Sequence, residues 1–305
     1  MPSLIIDEVA AESGQRVVYF AHFDDSLIPV DIPPPDEEPD KAGFLYGWGG
    51  WGQIVVKVVS GAGADTLARL QAETAILEEV RPADFPKLLY SNLFTENPVT
   101  EVRLAEGLYV TVEEFIESKP LNEVLDRYRG NEPAIVELAI GVANAIFPLW
   151  EHPKRFVHRD IKPANILIRP SGEVVVIDLG IARETGVEGL TQEGWGRAPV
   201  TVGYAAPEQI ANDKAAISFK SDFFALGVLM YYLLSGAKPF HLRTRMDMAE
   251  VAEATESFDP PVLKDFCGAS MAFSAFVEKA MMKKPWQRHR TPEIFITELN
   301  AMRSV

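Results

Sequence analysis

Two short apolar runs with polar tips constrain the fold of this chain more than any other feature. The first, "FVHRDIKPANILI" (Phe156–Ile168), is apolar at both ends and polar in its middle. The second, "VVVIDLGIAR", starts at Val174 and sets Asp178 after four β-formers. The pair reads as two short strands that present polar tips close together, a common way to build a site at strand ends. Each tip carries groups suited to phosphate chemistry. Asp160 can accept a proton, Lys162 can neutralise a phosphoryl oxygen, and Asn165 with Asp178 can supply oxygen ligands for Mg²⁺. Unrelated charges on a surface turn would account for one tip, but not for both.

The rest of the chain falls into two styles. The first third alternates short β-rich runs (Val17–Phe23, Ile54–Val59, Leu108–Phe115) with one helical pattern, Asp65–Val80, for which Asp65 is the expected N-cap. From about residue 132 onward helical periodicity dominates. A small β-rich lobe followed by a larger α-rich lobe is the expected architecture, and 305 residues suffice for both. No unbroken run of 18 or more apolar residues occurs, so no spanning helix is expected. The N-terminus carries acids early and lacks a basic stretch, which argues against a secretory leader. One cysteine, Cys267, excludes an internal disulfide; it fits a cytoplasmic location and reads as a small buried apolar residue. The formal charge of −15 argues against sequence-independent nucleic-acid binding and against docking on anionic membranes. Between Asp24 and Asp40 lie seven acids, five prolines and no basic residue. That segment reads as a solvated loop, with a docking site for a basic regulatory partner as the alternative.

Several motifs then resemble one family. His158-Arg159-Asp160-Ile161-Lys162-Pro163-Ala164-Asn165 looks like the catalytic loop of Hanks-type protein kinases, and Asp178-Leu179-Gly180 resembles their metal-binding motif with leucine for phenylalanine. "GYAAPEQ" (Gly203–Gln209) resembles the end of the activation segment, and Ser221–Phe240 the buried helix beneath the active site. The likeness runs in order along nearly the whole chain, in a bacterial style. It implies a two-lobed α+β fold over residues 1–305: an antiparallel β-rich N-lobe over about 1–115 with one key helix and an acidic insert at 24–43, then an α-helical C-lobe.

Lys57 is the only charge in "QIVVKVVS" and must be paired or hold an anion. Glu73 falls on or beside the inward stripe Leu67, Leu70, Thr74 and Leu77 of its helix, so each group would relieve the other. The resemblance agrees: Lys57 would hold the α- and β-phosphates of ATP and Glu73 would orient it. "GWGGWG" (Gly47–Gly52) resembles a phosphate loop, yet Gly52 is five residues before Lys57, roughly 17 Å along an extended strand. It fits the far turn better. "AAESGQRVVYFA" (Ala10–Ala21) is similar to the family's phosphate loop in register, with Ser13 and Gly14 at its turn. Ala11, Ser13 and Arg16 stand there in place of the three motif glycines. The segment Leu108–Leu125 resembles the hinge. Backbone groups of Glu114 and Ile116 would bind adenine, Val18 and Val55 would pack its face, and Glu113 would take the gatekeeper position.

By the same resemblance Thr201 would contact Asp160 and Lys162, as in serine/threonine-specific members, and Arg159 beside Asp160 makes Thr185 or Thr191 a candidate phosphosite, with a plain loop threonine as the alternative. Glu208 with Arg288 would form a buried pair, and Asp222 would support the catalytic-loop backbone. The implied activity is transfer of the γ-phosphoryl of ATP, with Mg²⁺, to serine or threonine hydroxyls of protein substrates, the chain itself included. A nucleotide-binding scaffold is the first alternative, because Arg16 departs from the loop pattern. A small-molecule phosphotransferase is the second, and Lys162-Pro163 and "APE" count against it.

Overall fold

The structure is a computed structural model that describes residues 4–13, 15–24, 51–97, 99–179 and 203–304. It divides into two compact units, Met1–Glu78 with Pro86–Ile116, and Glu79–Phe85 with Glu117–Val305.

The first unit is built on an antiparallel sheet of five strands: β1 (Leu4–Ser13), β2 (Arg16–Phe23), β3 (Gln53–Ser60), β4 (Leu88–Glu96) and β5 (Arg103–Glu114), in the order β1-β2-β3-β5-β4. Alternation decides its two faces. Tyr19, Ala21 and Phe23 of β2, Ile54, Val56 and Val58 of β3, and Val110 and Val112 of β5 pack into one apolar cluster with Leu89. The intervening residues make the other face, where β2, β3 and β5 align as Arg16–Val59–Tyr109, Val18–Lys57–Thr111 and Phe20–Val55–Glu113. Helix α1 (Ala64–Val80) packs on that second face, with the hydroxyls of Thr74 and Tyr109 2.7 Å apart. It begins at Ala64, so Asp65 lies inside the first turn and is not the N-cap expected from the sequence.

The second unit contains β6 (Lys119–Pro120), α2 (Glu132–Glu151), β7 (Ile166–Ile168), β8 (Val174–Val176), α3 (Pro207–Ile210), α4 (Phe219–Ser235), α5 (Met248–Ser257), α6 (Leu263–Cys267), α7 (Met271–Ala280) and α8 (Pro292–Ala301). The Asn131 side chain accepts the Ala134 N–H at 3.2 Å to start α2, with Pro133 in the first turn where its missing N–H costs nothing. By length and composition α2 is apolar enough to cross a bilayer, so counting unbroken apolar runs is too strict a rule. Its buried residues, Ile135, Val142, Ile146 and Leu149 among them, pack inside the unit with α4, α8 and β8 around the helix. Gly141 makes the approach to β8 possible: a Cβ there would meet Val174 Cγ2 at 2.7 Å. Trp150, Phe223 and Phe295 continue the core, with Phe223 stacked on Phe295 at 4.1 Å and edge-on to Trp150 at 5.2 Å. Cys267 is exposed, contrary to expectation. It closes a five-residue helix whose inward position is taken by Leu263.

Candidate active site

β7 and β8 pair antiparallel, with Ile166 opposite Val176. Asn165 therefore enters the hairpin where Ile177 and Asp178 leave it, and the Ile177 N–H donates to the Asn165 carbonyl at 3.0 Å. The two polar tips share one end, as expected from the spacing. Lys162 Nζ lies 2.6 Å and Asn165 Nδ2 2.8 Å from the same carboxylate oxygen, Oδ2 of Asp160. Asn165 Nδ2 also reaches the Asp160 carbonyl at 2.9 Å, which ties the two ends of the loop together. Arg159 (φ 69°) and Asp178 (φ 55°) both adopt the left-handed conformation that side-chain-bearing residues avoid. Such strain persists only where the surroundings over-determine the backbone, and here they do. The Gln209 side chain donates to the Arg159 carbonyl at 2.9 Å.

Asp222, fully buried in the first turn of α4, takes three donors: the His158 N–H at 3.0 Å, the Arg159 N–H at 2.8 Å and the Trp150 indole N–H at 2.8 Å. Burial pushes its carboxyl above the ordinary range, and His158 and these hydrogen bonds pull it back. Burial likewise holds the His158 imidazole below its ordinary value, against the pull of Asp222 and Asp160. Farther along, Arg288 grips Glu208 with two parallel bonds, Nη1–Oε1 at 2.6 Å and Nη2–Oε2 at 2.8 Å, and both side chains are buried. The Ser221 hydroxyl adds a third bond to Glu208 at 2.7 Å, and the Arg288 guanidinium also donates to the carbonyls of Lys220, Met282 and Lys283.

In the first unit, Lys57 Nζ lies 2.7 Å from Glu113 Oε2, with the side chains 13% and 11% exposed. Val18 stands directly across from Lys57, and Val55 two residues before it on the same face. Glu73 is half-buried on α1 beside Thr74.

The protein kinase domain family model matches residues 53–299. The chain belongs to the protein kinase family. Curated relatives include a probable serine/threonine-protein kinase of Streptomyces coelicolor, 31% identical over 196 residues, covering 62% of this chain and 28% of that protein. Others are the serine/threonine-protein kinases PknH and PknJ of Mycobacterium tuberculosis. PknH is 31% identical over 195 residues (63% of this chain, 30% of PknH), and PknJ 34% over 169 (52% and 28%). The aligned part thus spans under a third of each of these relatives.

Within this kinase domain the loop residues named from the sequence come together: Asp160, Lys162 and Asn165 in one hydrogen-bonded group, with Asp178 leaving the neighbouring strand. These residues fit the Mg²⁺ that the family uses. Asn165 commits its N–H₂ to Asp160, so its amide oxygen is the ligand it has to offer, beside the carboxylate of Asp178. Mg²⁺ needs little more from a protein, since water and phosphate complete its octahedron. Ser13 ends β1 one pairing from the β1–β2 turn. The Glu114 N–H donates to the Lys87 carbonyl at 2.9 Å. Ile116 is buried. Gly52 sits at the Gln53 end of β3, whereas Ser60, at the other end, donates to the Gln15 carbonyl of the β1–β2 turn. The last glycine of "GWGGWG" is therefore remote from that turn along the strand. Gly14, Gly47, Gly49, Thr185, Thr191, Thr201 and residues 25–40 lie outside the described residues. Sequence reasoning missed the contacts of Glu113, Gln209 and Trp150. For Glu113 a signal existed: an acid within the apolar run "LYVTVEEF" raises the same question as Lys57.

Proposed function

We propose that this chain is the catalytic domain of a serine/threonine protein kinase. It uses ATP with Mg²⁺ and phosphorylates hydroxyls on protein substrates, itself among them. The observation that carries the reading is the convergence of Lys162 and Asn165 on one oxygen of Asp160. That arrangement fixes the carboxylate so that it can orient an acceptor hydroxyl and take its proton. Lys162, next to it, steadies negative charge on the group in transfer. Mg²⁺, when bound, neutralises the phosphates, with Asn165 and Asp178 as its protein ligands. In the first unit Lys57 anchors the α- and β-phosphates with Glu73 orienting it, and the turn at Ser13 and Gly14 covers them. Val18 and Val55 line the adenine face, and Glu114 and Ile116 supply backbone groups to its edge.

Lys162 together with Thr201 favours serine and threonine over tyrosine as acceptors, and the names of the relatives support the same preference. The acidic stretch 24–40 serves to dock a basic regulator, and the protein acts in the cytoplasm without nucleic acid or membrane as partner. The test is transfer of label from γ-labelled ATP to serine-, threonine- and tyrosine-containing peptides, with and without Mg²⁺. Label on serine or threonine only, lost on chelation, is the expected result. Transfer to tyrosine alone, or none in the presence of bound ATP, would overturn the reading.

A further inference from the structure

A lysine placed to anchor phosphates is, in this structure, already holding a carboxylate. Lys57 stands opposite Val18 and Thr111, and Glu113 is two residues beyond Thr111 on the same face of the sheet. The Nζ–Oε2 distance of 2.7 Å and the low exposure of both side chains make this a tight, largely desolvated pair. Its direction is informative. The β1–β2 turn lies past Val59, toward the Ser60 end of β3, where the Ser60 N–H meets the Gln15 carbonyl. Glu113 lies the other way, level with Val55. Glu113 and the turn therefore lie on opposite sides of Lys57 along the strand, level with Val55 and with Ser60 respectively. Arg16, level with Val59, puts another cation on the turn side of the same face.

We infer that Glu113 competes with the nucleotide's phosphates for Lys57 and so sets how tightly this domain holds phosphate-bearing ligands. The inference rests on the nucleotide-binding reading above. Three effects have the same sign. Glu113 already neutralises Lys57, so a phosphate gains less by reaching it. Exchange leaves Glu113 as a partly buried anion without that partner. The displaced anion then faces phosphate oxygens of like charge. Removing the charge at Glu113 reverses all three. A nucleoside, which carries no phosphate, makes no demand on Lys57, so its binding should not depend on the charge of the pair.

The experiment is calorimetric binding of ADP and of adenosine to the wild-type chain, Glu113→Gln and Glu113→Met. Glutamine keeps the shape of glutamate, and methionine is a second route should glutamine fold poorly. In both variants ADP should gain affinity, on the order of tenfold relative to any change for adenosine. ADP affinity that is unchanged or weaker would overturn the competition. Equal changes for ADP and adenosine would overturn it too, since Glu113 would then act on the adenine site. Wild-type chain that binds neither ligand would sink the nucleotide reading itself, whereas ADP binding indifferent to Glu113 would sink this inference alone.

Discussion

Asp160 and Arg288 show at the residue scale how differently one side chain can matter. Asp160→Asn keeps the shape and the Asn165 contact but removes the base. It should lower kcat roughly 10²–10⁴-fold while ATP binding stays close to wild type. Steady-state kinetics beside a nucleotide titration checks this, and full activity would refute the role. Arg288 acts on the fold. Its removal leaves Glu208 buried with only Ser221 as a described donor, so Arg288→Ala should destabilise the unit by about 3–5 kcal/mol. Denaturant unfolding would show it; an unchanged midpoint would mean the pair is not desolvated in solution. Lys57→Met should abolish transfer, and adding Glu73→Gln should cost little more, because members of one working unit are not additive. Losses that multiply in single-turnover assays would show that Glu73 acts elsewhere.

At the scale of elements, β3 carries the clearest case. Gly52 enters it at φ 61°, and a Cβ added there would meet nothing within 4 Å. Gly52→Ala should therefore cost about 1 kcal/mol through the backbone alone and leave the KM for ATP unchanged. A raised KM with intact stability would restore "GWGGWG" as the phosphate loop. The same strand marks the border of what is legible in the sequence. Residues 156–168 and 178 can be read because their polar groups are contiguous and framed by apolar runs, and a hairpin of fixed period brings them together. Strands β1 and β4 escape such a reading. β1 is an exposed edge with three acids in ten residues, so it lacks the alternation that burial imposes on the other strands. The Lys57–Glu113 contact is out of reach for another reason. It is diagonal across two strands far apart in sequence, and only the register tells which acid of Glu113-Glu114 shares the lysine's face.

For the whole molecule, acid sensitivity follows from where the histidines lie. His158, His241 and His289 are all held below the ordinary imidazole value of 6.5, in each case first by burial. The unfolded chain then binds protons that the folded chain refuses. Their contribution to stability is complete above about pH 6.5 and is lost progressively as the pH falls toward the lowered values. Asp222, raised by burial above 3.8, works the other way, but a single carboxylate meets three imidazoles. The melting temperature should fall steadily as the pH drops below about 6.5. A curve that stays flat to pH 5 would show that these rings protonate without unfolding.

Asp222 also bears on how the protein fails. The amides of His158 and Arg159 belong to a loop, and loop amides normally trade hydrogen with water quickly. These two instead end on a carboxylate rooted in the first turn of α4, in contact with Trp150 of α2. They should exchange only when those helices part, at rates matching the slowest core amides. The loop that carries Asp160 thus borrows the lifetime of the core, and heating should extinguish transfer activity and helical structure at the same temperature.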